Sequence, residues 1–597
     1  MRLVQRSIVT VGAALSAGLR HVAPWLVGLI YACVAVLGGQ IARRGAVALD
    51  SPKTYATIAV GAVVGAGLVA LAYAVIDWSD QRKSPTTQEA SGGRPDGIGG
   101  QDAPDETGER SRAAGPAPRG RAARWAFPAR WAILLMCWAP VWLSAYPGFF
   151  AYDATDELSE VLGDRVGTHH PPLHVLLLGY GVKYLYGLTG EWNRAIAVWI
   201  GAQALLVAAV FAWILGKLAR LEAPLWAVAA GLAYYALFPT VVMFALCSTK
   251  DVLFSAAVTA LMVLLVDLAK GRWDARFAWL LAGVALAALS LRVNMVYAYI
   301  PFALLAVWRM RGQRRRAAVV LGAPALVALF ATQVLYPLVL HYVPAPIQDK
   351  LGVPIQQLAR VYNLADDVSA ADRERIERWW ADQRHLLRYY PPNADPPKYG
   401  VNSPAIEADQ SEFWRDWLAV GLNHPAVYVN ATLAGTYEGW YPGAVITGYN
   451  FPGSPTPIHG PGITDYFVFY TEKPGLMHEP SALPAVRNLY EALSRSPATS
   501  RVPVLSWLMS PASMVMLLVF ACGLVARRGA RGAAMRLPLA MFALIVLTVY
   551  LGPVMLVRYF LYLFFAFPLL VALLARPSTF DLRPDVRLPN GKRVSAW

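Results

Sequence analysis

The stretch YPGFFAYDATDELSEVLGDRVGTHHPPLH, residues 146–174, sets Asp153, Asp156, Glu157, His169, His170 and His174 between segments apolar enough to lie in a membrane. Polar groups at this density beside a bilayer are costly, so the stretch reads as an active-site loop at the membrane surface. The rest of the chain is organised around it.

Of the 597 residues, 56% are hydrophobic and 15% are charged, and the mean hydropathy is +0.41. Soluble domains carry roughly 25% charged residues and about 45 to 50% apolar ones. The chain is therefore a polytopic membrane protein with moderate loops, and a large soluble core is excluded. The net charge is +15, but Arg and Lys fall in short clusters between apolar runs, as in cytoplasmic loops. That pattern excludes a nucleic-acid surface. Cys33, Cys137, Cys247 and Cys522 each lie in or beside an apolar run without metal-type spacing, so they read as packing residues. The start, MRLVQRSIVTVGAALSAGLR, runs directly into a long apolar segment and reads as a retained anchor.

About 20 apolar residues cross a bilayer as a helix. Residues 22–42 and 55–76 meet that length, and residues 1–78 form an accessory two-helix anchor. Residues 79–130 read as a disordered cytoplasmic linker, because a run rich in Gly, Pro, Ser and charge can bury no core. A catalytic membrane core is expected at 131–345, with its first outer loop at 148–191 and spans at 131–147, 193–215, 224–246, 251–269, 277–291, 294–308 and 317–341. Residues 346–502 read as a mostly helical extracytoplasmic cap, with amphipathic pieces at 355–362, 372–381 and 412–422. C-terminal transmembrane helices are expected within 503–576, at 503–525, 537–555 and 557–575, followed by a cytoplasmic tail at 577–597. The expected fold is an all-α integral membrane bundle of about 12 transmembrane helices with outer-surface helices and the cap.

Orientation follows from the basic clusters. Arg119, Arg121, Arg124 and Arg130, then Lys217 and Arg220, Lys270, Arg272 and Arg276, the run 309–316, and Arg527, Arg528, Arg531 and Arg536 share one face only if residues 171–190 do not cross. The apolar part, 173–187, makes about 22 Å of helix against a core of about 30 Å. It is expected to lie along the outer surface with Lys183 and Tyr184 at the interface. The same parity splits 277–308 into two short helices with Arg292 and Asn294 at the outer turn. The acidic loop, Lys250, Asp251, Arg292 and the cap then all face the exterior.

Asp153, Asp156 and Glu157 stand at i, i+3 and i+4 and so share a helix face. Such a cluster supplies a general base or holds a divalent cation, Mg or Mn. The structural alternative makes Asp153 an N-cap and the other two first-turn acids that favour the helix dipole. His169, His170 and His174 are phosphate or metal ligands, or else interfacial polar residues. Lys250 either neutralises a phosphate that Asp251 orients, or snorkels while Asp251 caps its helix. Arg292, inside an apolar stretch, requires an anionic partner. Arg558 and Tyr559 are candidate donor ligands or interface anchors.

These features have a familiar order: an outer acid after the first span of the core, a Pro-Pro-Leu surface helix, Gly187, Glu191 and Arg194 opening a span, then an outer Lys-Asp pair. In this the chain resembles the GT-C superfamily of polyprenyl-phosphate-sugar glycosyltransferases, such as the protein O-mannosyltransferases and lipid A aminoarabinose transferases. The likeness covers about residues 131–345. YPGFFAYDATDEL, HHPPLH, STKDVLF, LRVNM and PIQQLARVYN look like a bacterial branch of it. The resemblance implies that Asp153 matches the catalytic base, assisted by Asp156 and Glu157, and that Asp251 matches the acid after the third core span. The aminoarabinose group has Lys where this chain has His170.

The function expected is sugar transfer from a polyprenyl-phosphate donor to a cell-envelope glycan, lipid or protein on the extracytoplasmic face of the plasma membrane. Asp153, Asp156 and Glu157 are the catalytic candidates, and the same three are the metal candidates. His169, His170, Lys250, Asp251, Arg292 and Arg558 are expected at the donor phosphate, and the resemblance implies inversion at the anomeric carbon. The rival is a transporter or flippase of lipid-linked glycans, in which these charges bind cargo without bond cleavage. An envelope-complex scaffold is a third reading. A transporter is expected to show paired broken helices with charge near the midplane, whereas here charge gathers at one face.

Overall fold

The computed structural model describes residues 2–82, 121–164, 166–167, 169–340, 345–444, 480–495, 503–529 and 532–582. Every described element is helical, and the only β pairing among these residues is in isolated bridges.

Two long helices open the chain, α1 (Arg2–Arg44) and α2 (Pro52–Arg82), followed by α3 (Arg121–Ser144). The first loop holds α4 (Tyr152–Leu162), α5 (Pro172–Val175), a π turn at Leu176–Tyr180 and α6 (Gly181–Thr189). The core continues with α7 (Trp192–Arg220), α8 (Leu225–Leu237), α9 (Pro239–Ala245), α10 (Lys250–Ala269), α11 (Ala275–Leu291) and α12 (Met295–Arg309). Then come α13 (Arg314–Phe330), a π turn and α14 (Tyr336–Leu340).

The cap holds α15 (Gly352–Leu364), α16 (Ala370–Glu377), α17 (Gln383–Leu386), α18 (Asp395–Lys398), α19 (Ser403–Ala408), α20 (Gln410–Asn423), α21 (Pro425–Trp440) and α22 (Pro484–Arg495). The last helices are α23 (Pro503–Met509), α24 (Pro511–Arg527), α25 (Arg536–Val549) and α26 (Leu561–Ala575).

Among the described residues, seven helices are long and apolar enough to cross a membrane: His21–Arg44, Pro52–Arg82, Trp125–Ser144, Trp192–Arg220, Lys250–Ala269, Arg314–Leu340 and Val557–Ala575. The number rises to eight if α8 and α9, bent by 58°, form one span. The chain is thus an all-α, multi-pass membrane protein. The expected figure of about 12 also counted segments that end as shorter apolar helices, among them α11, α12 and α24. Pro239 and Pro511 begin new helices where the sequence reading had continuous spans, since proline donates no backbone hydrogen bond.

Helix α10 is the axis of the bundle. Its apolar window is 89% buried against 28% for α2, so protein surrounds α10 on all sides while α2 keeps a broad outer face. Whatever stands at the ends of α10 is therefore fixed by packing. Thr249 caps its N-terminus, accepting from the Asp251 backbone N–H, and Asp274 caps α11 by accepting from Phe277.

Two expectations need correction. Residues 79–82 and 121–130 of the expected linker are helix, and 83–120 lie outside the described residues. The expected accessory pair α1 and α2 packs onto the body: Arg528 pairs with both Asp77 and Asp80, at 2.8 Å for Asp80, and Asn430 of α21 exchanges two hydrogen bonds with the Val47 backbone. The apolar residues of α4 divide between the interior and the surface. Leu158 and Val161 are buried inside the protein and only Leu162 is exposed. Gly179 permits this approach, because a Cβ there would stand 2.3 Å from the Val161 side chain.

The expected tail begins as a buried turn, Pro577–Phe580, and residues 583–597 lie outside the described set. Of the cap, 445–479 and 496–502 lie outside it as well. The remainder of the cap has its own core around Ile355, Leu358, Trp379, Phe413 and Val420. Arg292 and Asn294 stand at the break between α11 and α12, where the basic clusters put a turn.

Candidate active site

The site begins with the backbone between α3 and α4. Gly148 turns the chain at φ +115°, where a side chain would be strained and would meet Ile200. Phe149 then pairs with the segment before α10, donating to Leu246 O at 3.0 Å and accepting from Ser248 N at 2.9 Å. Gln203 of α7 pins that segment from behind through Ala245 O and Cys247 O. These contacts set the start of α4 against the start of α10.

Asp153 and Lys250 meet there. Lys250 Nζ donates to Asp153 Oδ2 at 2.6 Å, and Arg558 Nη1 donates to the same oxygen. Asp251 takes the next cation, its Oδ1 accepting from Arg292 Nη1 at 2.8 Å, while Arg558 Nε lies 3.7 Å from its Oδ2. The Arg292 guanidinium also donates to Asn294 Oδ1 and lies near the rings of Phe254 and Tyr559. Glu157 pairs through Oε2 with His174 Nδ1, and its Oε1 lies 3.7 Å from Lys250 Nζ. Lys250 also donates to His170 Nδ1 at 2.9 Å.

The result is a buried network of three carboxylates, Asp153, Glu157 and Asp251, and three cations, Lys250, Arg292 and Arg558. It sits where α3 ends, α10 begins, α11 ends and α26 begins, all at one end of the bundle. Charges removed from water persist only when paired in this way.

Burial alone would push the Asp153 carboxyl up, but Arg558, Lys250 and His170 hold it well below the usual carboxylate range. His170 is driven down to about 2, first by burial and then by Lys250, so it is a neutral acceptor. A carboxylate held this way is ionised at any working pH.

The structural alternatives weighed from the sequence are replaced. Ala151, not Asp153, is the N-cap of α4. Thr249, not Asp251, caps α10. Lys250 does not snorkel, and Arg558 is 3% exposed, too buried to be an interface anchor. Among the other candidates, Asp156 is exposed, unlike Asp153 and Glu157, and His169 turns to the cap, 3.3 Å from Asp349 Oδ2.

The divalent cation finds no fitting site in the expected trio. Asp153 faces two cations, Glu157 faces His174 and Lys250, and Asp156 is exposed. Among the described residues no group of three or more His, Cys, Asp or Glu is placed to hold a metal ion.

Sequence reasoning missed the cap's share of this region. Asp349 lies 3.2 Å from Lys398 Nζ, which lies 2.7 Å from Asp395. The available signal was the i, i+3 pair in DPPK, where prolines start a turn that brings Asp395 and Lys398 together. The polar residues of PIQQLARVYN hold the cap instead: Gln357 bonds Thr432 and Trp417, and Arg360 bonds Tyr389 and the Gly45 carbonyl.

A family model described as a family of unknown function (DUF6020) matches residues 165–583, which takes in His170, Lys250, Asp251, Arg292 and Arg558. No curated protein and no solved structure matches the chain.

Proposed function

The chain belongs to the family of unknown function DUF6020, and we propose that it is a membrane glycosyltransferase. It moves a sugar from a polyprenyl-phosphate donor to a cell-envelope glycan, lipid or protein, on the extracytoplasmic face of the plasma membrane. The bundle of about 12 crossings and the GT-C likeness belong to the same proposal. The observation that carries it is the pairing of Lys250 and Arg558 on one oxygen of Asp153. A transfer of this kind needs a carboxylate base and cations for the leaving phosphate within one small volume, and this network brings both together.

In the proposed reaction the acceptor hydroxyl gives its proton to Asp153 as its oxygen bonds to the anomeric carbon. The bond from that carbon to the phosphate oxygen breaks on the opposite side, and polyprenyl phosphate leaves with the electron pair. Arg558 and Lys250, already at the carboxylate, stabilise the charge that develops on the phosphate. Arg292 holds Asp251 in place beside Arg558 and so sets where that guanidinium lies.

The second reading is a transporter or flippase of lipid-linked glycans, favoured by the bend between α8 and α9 at the broken-helix position. The network lies at one end of the bundle, which favours the enzyme. Full-length protein in liposomes supplied with polyprenyl-phosphate sugars separates the two. The enzyme releases sugar-free polyprenyl phosphate and forms an inverted glycoside. Intact lipid crossing the bilayer with no cleavage overturns the proposal. In cells, a deletion strain is expected to accumulate lipid-linked sugar and to lack one residue of an envelope glycan by mass spectrometry.

A further inference from the structure

Glu157 is fully buried, yet its Oε1 makes no hydrogen bond among the described residues. A buried carboxylate oxygen without a donor is costly and calls for a reason. The nitrogens nearest to it are the Lys250 ammonium Nζ at 3.7 Å and the neutral His170 Nδ1 at 3.9 Å. Lys250 is held instead at 2.6 Å from Asp153. A movement of about 1 Å brings its ammonium within hydrogen-bond reach of Glu157. His170, 2.9 Å from Lys250, accepts a hydrogen bond from a second N–H of the same ammonium.

Arg558 has an alternative of its own, since its Nε lies 3.7 Å from Asp251. Each of the two cations on Asp153 therefore has another carboxylate within reach. A carboxylate carrying two cations on one oxygen accepts a proton poorly, and a base must shed at least one of them before it works.

We propose that Lys250 is a two-position cation: when a phosphate engages Arg558, Lys250 moves from Asp153 Oδ2 to Glu157 Oε1 and leaves Asp153 free to act as the base. This rests on the phosphate-donor reading above and adds to it a role for Glu157, a positioning residue that acts through Lys250. Lys250 stays protonated in both positions, so no proton is lost or gained in the switch. The proton that Asp153 then accepts is the acceptor hydroxyl's.

The sign of one substitution tests it. Glu157→Gln removes a negative charge near the bound anion, and plain electrostatics predicts tighter phosphate binding. The switch predicts the opposite, because Lys250 loses its second position while Gln keeps an oxygen for His174. The measurement is the affinity of the full chain, in nanodiscs of neutral lipid, for a polyprenyl monophosphate. Glu157→Gln is expected to weaken binding by about tenfold, and to have little effect in the Asp153→Asn background, where Lys250 is already released. Unchanged or tighter binding overturns the switch, as does an equal loss in both backgrounds. If Glu157→Gln does not fold, Glu157→Asp keeps the charge but withdraws it from Lys250, and weaker binding is again expected. Wild-type protein that shows no saturable binding overturns the donor reading itself, which is a separate outcome.

Discussion

Arg558 and Lys250, from opposite halves of the chain, donate to the same oxygen of Asp153. The first loop, the start of α10 and the last helix are thereby tied at one atom. Asp153→Asn is expected to leave α4 formed, since Ala151 and not Asp153 begins it. The amide oxygen still accepts from Arg558 but releases Lys250 and is no base, and turnover is expected to fall by about 10² to 10⁴. Transfer rate and melting temperature of the purified variant check this together. Turnover near wild type would move the base to Glu157 or Asp156.

Arg292 and Asp251 behave as one unit. Asp251 is 1% exposed and Arg292 8%, so removing either alone leaves the other charge buried. Arg292→Ala is expected to cost about 3 to 5 kcal/mol of stability, while Arg292→Lys keeps the charge and costs less. Arg292→Met combined with Asp251→Leu is expected to regain most of the loss, read as thermal melting in nanodiscs. A double variant no more stable than Arg292→Ala would refute the pairing as the source of the effect.

Why some of this was legible in the sequence follows from the chemistry of each residue. Arg292 in an apolar run demanded an anion, and Asp251 supplies it. The basic clusters demanded a turn at 292–294, and the helices break there. Asp153 and Glu157 share a face at i and i+4, and both are buried in the network. Asp156 at i+3 is exposed, because the buried arc of a short amphipathic helix does not take in every neighbour of its central residues. The pairings among these charges were not legible, since partners lie up to about 400 positions apart and periodicity carries no record of long-range contact. Asp349 and Lys398 went unseen for the same reason.

The N-terminal pair gives a prediction opposite to the reading of it as an accessory unit. Arg528 is buried against Asp77 and Asp80, and Asp80 also accepts from the Ser578 backbone and hydroxyl. A chain starting near Arg124 leaves Arg528 without either acid. The expected cost is about 3 to 5 kcal/mol, seen as early melting and reduced yield. Truncated protein as stable as the full chain would restore the accessory reading.

The contact between His169 and Asp349 joins the first loop to the cap and should carry a pH signature. The hydrogen bond to Asp349 raises His169 above its usual 6.5, against burial and the more distant Lys250. Burial would raise Asp349, but His169 and Lys398 hold it below its usual 3.8. The other groups facing the pair are Glu160 of α4, Asp395 behind Lys398, His170, which remains neutral, and Asp153. A raised histidine contributes stability that is complete below its unfolded value and is lost as pH climbs through its folded one; a lowered aspartate contributes stability that is complete above its unfolded value. The contact is therefore at full strength between about pH 4 and about pH 6.5 and weakens above that. His169 is largely exposed, so solvent screening limits the effect to about 1 kcal/mol or less. Hydrogen exchange at residues 345–350 is expected to be slower at about pH 5.5 than at about pH 8 after correction for intrinsic rates. The difference should vanish in His169→Gln, whose amide does not titrate. Corrected exchange that is equal at both pH values in the wild type would show that this pair does not hold the cap to the loop.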